Sequence, residues 1–438
     1  MHPLIIELHD RNLSLRSPEG LLLRSPGILS IAGKEPVFGD AAASLQHLHP
    51  QLSFNHFWAQ LGMDPLPVKN KFFRHTADMA YAHLQHMLKE ASTADGLILA
   101  VPGSYNRNQL GVLLGLIKQC NVEAVGLVDS ALLLAAASTE NDCIIVDLQL
   151  HQCVLSRFVR SEGHLLRDRV VQVPFAGLLA LRDAWLNLLG SEFVKQSRFD
   201  PQRNAETEQY LSDQMPQLLS ALTQASELTV EINLKGTVHQ AKVARELFEK
   251  RSQALFARIT AELDQLRHPE SAVHIATSQW HLPGLTTAIP GMIALDDELA
   301  SSACWQHLGA IRRPANALQH VTKLPISKDT PAPAVTLQSK APTHVLLQHK
   351  AIALPSGRLG IGKLPAGIDC ARALPADSSL GSFAILRSPR GVQLELHGNT
   401  ALRCNGAVPQ ELMFLNAGDR LQAQADGAEL SLIIVESA

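Results

Sequence analysis

Apolar residues in this chain follow two rhythms, and the places where the rhythm changes mark its organisation. Gly96-Leu97-Ile98-Leu99-Ala100-Val101-Pro102 is a continuous apolar run ended by a proline, as in a strand buried on both faces. Leu110, Leu113, Leu114 and Ile117 then recur at the spacing of one helical face. Residues 122–128 return to a strand, and the small residues of 130–137 predict a helix able to pack closely. Residues 143–148 form another buried strand, with 154–159 as its hairpin mate. A second hairpin follows over 228–234 and 237–243, turning at Lys235-Gly236, and 272–276 is a last strand. Strands and helices in this order predict an α/β chain.

Past residue 313 the pattern changes. Residues 314–342 intersperse Pro325, Pro331, Pro333 and Pro342 with Ala, Ser, Thr and Lys, a stretch that buries little and restricts its own backbone. Residues 343–438 carry short strand-like runs separated by Gly, Pro, Asn and Asp turns, which predict an all-β sandwich. The expected organisation is therefore a domain over 1–313, a linker over 314–342 and a β module over 343–438.

Composition narrows the chemistry. The 438 residues exceed one ordinary core, and 46% hydrophobic against 18% charged is a globular balance. A formal net charge of −3 and 5% aromatic residues supply neither a basic field nor base-stacking platforms, so no nucleic-acid partner is expected. The longest apolar stretch, 131–137, is short of a membrane span, and the first residues lack a basic signal-peptide region. The expectation is a cytoplasmic protein without a membrane partner. Six cysteines lie far apart with no CxxC pair, which fits buried free thiols. Nineteen histidines form no HExxH motif or Cys/His quartet, so no metal site is expected.

Several ordered landmarks over the first 310 or so residues resemble the ATPase domain of DnaK-type chaperones and, more broadly, the actin-like ATPase superfamily. Val101-Pro102-Gly103-Ser104-Tyr105-Asn106, with Gln109 on the next helix, is similar to the family's Val-Pro-x-x-Phe/Tyr-Asn segment. Val128-Asp129-Ser130-Ala131 stands at its connecting helix, and Val243-Ala244-Arg245-Glu246-Leu247-Phe248-Glu249 resembles its Thr-Arg-x-x-Phe-Glu segment. Ile275 through Gly284 stands where the adenosine loop belongs. The resemblance implies a two-lobed actin-like (ribonuclease H-like) fold, with ATP and magnesium as the family's ligands.

The same alignment removes the phosphate cradle. In the family two hairpins approach the phosphates through glycines, which leave backbone N–H groups accessible. Here the first reads Glu7-Leu8-His9-Asp10-Arg11 and the second Asp147-Leu148-Gln149-Leu150-His151-Gln152. Ala276 and Thr277 replace the adenosine-loop glycines, and Trp280 is placed to fill the base cavity. Glu7, Asp129 and Asp147 match the acidic positions that orient magnesium-bound and attacking water in active relatives, while structural capping is the competing role. Without a cradle, acidic residues alone cannot position a γ-phosphate. Lys69 and Lys71 lie near the family's catalytic lysine, and surface lysines are the preferred reading.

The last module resembles a forkhead-associated domain, a β-sandwich that binds phosphothreonine peptides. Gly357-Arg358-Leu359-Gly360-Ile361-Gly362-Lys363 is similar to its Gly-Arg-x-x-Ile-Gly-Arg strand and loop, and Leu415-Asn416-Ala417-Gly418-Asp419-Arg420-Leu421 to its Leu-x-x-Gly-Asp-x-Leu strand. Gly398 to Gly406 resembles its Asn-Gly-Thr turn, Leu380 stands at its loop serine with Ser379 and Ser382 adjacent, and Phe383 stands at its bracing histidine. The phosphopeptide candidates are Arg358, Lys363, Ser379, Ser382 and Asn405. Lys363 keeps a charge but lacks the arginine fork. Together these expectations describe a non-catalytic scaffold, a pseudo-ATPase with a docking domain, whose partners are other proteins such as a DnaK-like or actin-like relative. The alternative is a magnesium-dependent DnaK-like ATPase that regulates a partner assembly.

Overall fold

The computed structural model describes residues 3–89 and 96–326. In the C-terminal part it describes 342–347, 350–355, 357–361, 370, 372–374, 383–388, 391–396, 402–404, 412–415, 419–422 and 429–433. The chain is mixed α/β with several sheets and divides into two units, Met1–Thr330 and Pro331–Ala438.

Two six-stranded sheets organise the first unit, and they follow one plan. Across the first, the order is His320–Val321, Ala124–Asp129, Leu97–Val101, Leu4–Glu7, Leu13–Ser17 and Gly20–Ser25. Across the second it is Ile293–Leu295, Ala272–Ala276, Asp142–Leu148, Gln152–Ser161, His164–Pro174 and Lys323–Pro325. In each, a leading strand (Leu4–Glu7 or Asp142–Leu148) pairs antiparallel with the next strand and parallel with a later one. The parallel strands explain the continuous apolar runs: every residue of Leu97–Val101 and Ala124–Asp129 is buried. Each leading strand ends at a hairpin tip, and these are the two loops nominated from the sequence.

Local signals fix the helices between the strands. Pro102 ends the strand Leu97–Val101, and Asn106 then starts Arg107–Gln119 with a reciprocal cap: Gln109 N–H donates to Asn106 Oδ1 and Asn106 N–H to Gln109 Oε1, both at 3.0 Å. Helix Ser130–Ala136 is apolar nearly all round because it packs between the sheets. Its Leu132 and Leu133 share a core with Ile5, Ile98, Ile145, Phe158 and Cys304. A helix with an exposed stripe could not occupy that position.

Composition misplaces one boundary. Residues 320–325 fall in the expected linker, yet His320–Val321 adds to the first sheet and Lys323–Pro325 to the second, with Leu324 fully buried. Strands of two and three residues are too short to show a period, and the prolines around them mask the pairing. A small three-stranded sheet of Leu29–Ser30, Val37–Phe38 and Ser53–Phe54 escapes the pattern for the same reason.

In the second unit the described residues form two five-stranded sheets. One core draws on both, with Val345, Leu421, Leu430 and Leu432 from one sheet and Leu359, Phe383, Ile385 and Leu394 from the other. Lys363, Ser379, Ser382 and Asn405 lie outside the described residues. Among the described residues no helix is long and apolar enough to cross a membrane.

Candidate functional site

The two hairpin tips of the first unit meet each other. The first turns through an Asn12 N–H bond to the His9 carbonyl, the second through Gln149 N–H to the Gln152 carbonyl, both at 2.8 Å. His9 Nε2 lies 2.5 Å from Asp147 Oδ1. The Nε2–H of His9 donates to that carboxylate, and its Nδ1 lies 3.3 Å from Arg11 N and 3.9 Å from Asp10 Oδ1. Asp10 Oδ1 accepts from Leu150 N–H at 2.9 Å, so the tips are joined by a side chain from each.

These contacts set the charges. Burial opposes a charge on His9, but the Asp147 carboxylate outweighs it and holds the imidazole above the usual histidine value. Burial likewise opposes ionisation of Asp147, and its bonds from His9 and Gln149 Nε2 hold it below the usual carboxylate range. Glu7, which accepts a bond from Ser14 Oγ at 3.3 Å, is pushed up by burial against the pull of His9 and Arg16. Burial also pushes Asp10 up.

Side chains now stand where the resemblance expects glycines, and each has a structural task. Leu150 is 4% exposed and packs with Ile28 and Ala42. His151 donates from Nε2 to the Asn55 carbonyl at 2.9 Å and stacks on His56; burial lowers its pKa to about 4, so it is neutral. Glycine appears instead behind the tips. A Cβ on Gly177 would lie 2.4 Å from the Leu150 carbonyl, and one on Gly27 2.6 Å from the Asp10 carbonyl.

The third nominated loop is tied in as well. Arg11 Nη2 donates to Ser278 Oγ at 2.9 Å, and Ser278 Oγ donates to Asp297 Oδ1 at 2.6 Å. Ala276 ends its strand, Thr277 Oγ1 donates to the Leu295 carbonyl, and Trp280 packs on the core around Phe248 and Leu285. Glu7, His9, Arg11, Asp147 and Ala276 line one cavity of about 300 Å³. Asp129 lines neither this cavity nor the second one described below. It accepts from Ala131 N–H at 2.9 Å as a helix cap and pairs with Arg167 at 2.6 Å. Lys69 and Lys71 do not line this cavity either, and Lys71 lies over the Phe72 ring.

Sequence reasoning missed Arg16, Asp297 and Glu298. Arg16 is 3% exposed in mid-strand, lines the cavity and pairs with Glu298, 282 residues away. An arginine in a short strand otherwise made of Leu and Ser was the one available signal.

Magnesium fits this arrangement poorly. Both Asp147 oxygens are engaged, by His9 and Gln149, and a cationic His9 would face the metal. Among the described residues no group of three or more His, Cys, Asp or Glu could hold a metal ion. In the second unit Arg358 gives both fork nitrogens to Glu395, at 2.7 and 3.2 Å. No protein-family model matches the chain, and no curated protein matches it.

Proposed function

We propose that this chain is a non-catalytic interaction protein: a pseudo-ATPase of the DnaK and actin type whose first unit serves as a partner-binding surface, joined to a forkhead-associated-like docking module. The contact of His9 with Asp147 carries this reading. It sets a buried charge pair and the Asp10–Leu150 bond between the two tips that would grip phosphates. A nucleotide would have to break that pair, leave the histidine or the carboxylate uncompensated, and then find no glycine-lined cradle. The shared strand order of the two sheets supports a two-lobed actin-like architecture, since a duplicated plan with an apolar helix layer between the sheets is what that fold consists of. The two five-stranded sheets around one core support the sandwich. The partners under this reading are proteins, a DnaK-like or actin-like relative among them.

The ATPase alternative draws on one observation, the cavity of about 300 Å³ that Glu7 and Asp147 still line. Calorimetric and thermal titration of the full chain with ATP and magnesium separates the two. A ligand at about 100 times its Kd stabilises by about 2.7 kcal/mol, a readily measured shift. The pseudo-ATPase reading expects no heat and no shift. A saturable response lost on Asp147→Ala would overturn it.

A further inference from the structure

A second cavity in the first unit, of about 210 Å³, carries chemistry that the nucleotide question does not use. Asp10 lines it, is 4% exposed, and spends only Oδ1 on Leu150; its Oδ2 has no hydrogen-bond partner. An unpartnered buried carboxylate oxygen is costly unless something donates to it. The lining otherwise holds Trp58, Tyr105, Phe175, the His56–His151 stack and neutral amides, with no lysine or arginine among the described residues. Burial lowers the pKa of both histidines, so neither supplies a counter-charge at neutral pH, and His9, outside the lining, approaches Asp10 at Oδ1, 3.9 Å away, leaving Oδ2 unpartnered. One carboxylate in an aromatic, cation-free cavity is complementary to a single positive charge.

Two features make the cavity a prepared one. Tyr105 Oη donates to the Trp58 carbonyl at 3.0 Å, and Trp58 Nε1 donates to His83 Nδ1 at 3.1 Å, so both rings are fixed without a ligand. Phe175 is 78% exposed and adopts φ 57°, a left-handed conformation that a bulky side chain rarely tolerates. Arg258 on the helix Arg245–Leu266 holds it there by donating to the Pro174 and Phe175 carbonyls. An exposed, rigidly held aromatic beside a cavity is a surface for a macromolecule, which a free amine would not need.

We propose that this cavity receives the ammonium or guanidinium group of a lysine or arginine presented by a protein partner, with Asp10 as counter-ion and Phe175 as the contact at the rim. The volume suits one side chain, since pockets for whole small molecules begin at about 300 Å³. The inference takes from the interaction reading only that the partner is a protein.

The test is calorimetry on the full chain with the neutral host peptide acetyl-Ala-Pro-Xaa-Pro-Ala-amide, where Xaa is arginine, lysine, norleucine or glutamate. Tetramethylammonium serves as the free cation. The arginine or lysine peptide is expected to bind about tenfold or more tighter than the norleucine peptide. The isosteric Asp10→Asn should remove that preference, and Phe175→Asn, which tolerates the left-handed backbone, should weaken the peptides severalfold while sparing tetramethylammonium. Equal binding of all peptides, none, or a preference that survives in folded Asp10→Asn protein would overturn the proposal. Tetramethylammonium matching the peptides would assign the cavity to free amines and overturn the protein partner. If Asp10→Asn fails to fold, an unchanged peptide affinity in Phe175→Asn overturns it. Nucleotide titration of the same protein reports on the pseudo-ATPase reading separately, because ATP binding and cation preference can each be present without the other.

Discussion

His9 and Asp147, 138 residues apart in the chain, are joined by a 2.5 Å bond between the tips of two hairpins that lead the two sheets. The hairpins have the same place in the same strand plan, and a tip residue of the first reaches the acidic residue near the end of the second leading strand. In a fold that grips a ligand between such tips, closure depends on the ligand. Here the chain supplies both charges itself.

The pair makes stability depend on pH in a defined direction. His9 is raised by folding, so its contribution is complete below the ordinary histidine value of about 6.5 and fades as pH rises through the folded value. Asp147 is lowered, so its contribution is complete above about 3.9 and fades as pH falls through its folded value. His9→Gln should therefore cost most between those limits, about 3 kcal/mol for a buried partner lost. Thermal midpoints of wild type and variant across pH should converge on the alkaline side. A gap that keeps its size well above neutrality would show that the contact is not electrostatic.

Leu150 tests whether the second tip has become part of the core. Its side chain sits with Ile28 and Ala42, while its N–H binds Asp10 and its carbonyl accepts from Leu179 N–H at 3.0 Å. Leu150→Ala should destabilise by about 2–4 kcal/mol in urea unfolding, as a large-to-small core change does. A tip that were only a vacated ligand loop would lose less than about 0.5 kcal/mol, the usual limit for surface substitutions.

The pair of Arg358 and Glu395 gives the opposite expectation in the second unit. Arg358 is 40% exposed at its side chain, so solvent screens the interaction despite its two-pronged geometry. Glu395→Gln should change stability by less than about 1 kcal/mol. A larger loss in chemical unfolding would mean that this pair holds the strand register of its own sheet.

How much of this was legible in the sequence differs by kind of feature. The strand Leu97–Val101 and the helix Arg107–Gln119 could be read because each depends on residues within a few positions. The acidic corners Glu7 and Asp147 could be located, since they end apolar strands. What they bind could not: His9 reaches Asp147, and Arg16 reaches Glu298, only after both sheets have formed. The strand Lys323–Pro325 was hidden because its place in the sheet comes from the partner His164–Pro174 and not from any period of its own.

Asp129, which the resemblance places at a catalytic corner, tests the competing structural role. It is fully buried, caps the helix Ser130–Ala136 through Ala131 N–H and Leu132 N–H, and pairs with Arg167. Burial pushes its carboxyl above the usual range and Arg167 opposes that shift. The site is also tight, since a Cβ on Gly103 would come within 2.9 Å of Asp129 Oδ2. Asp129→Asn keeps an oxygen for the cap but loses the charge facing Arg167, whereas Asp129→Ala loses both. The expected order of stability is wild type, then Asn, then Ala, with the alanine variant lower by about 3–5 kcal/mol. Urea midpoints measure the order. Equal midpoints for all three proteins would remove the structural role and return Asp129 to the list of residues kept for chemistry.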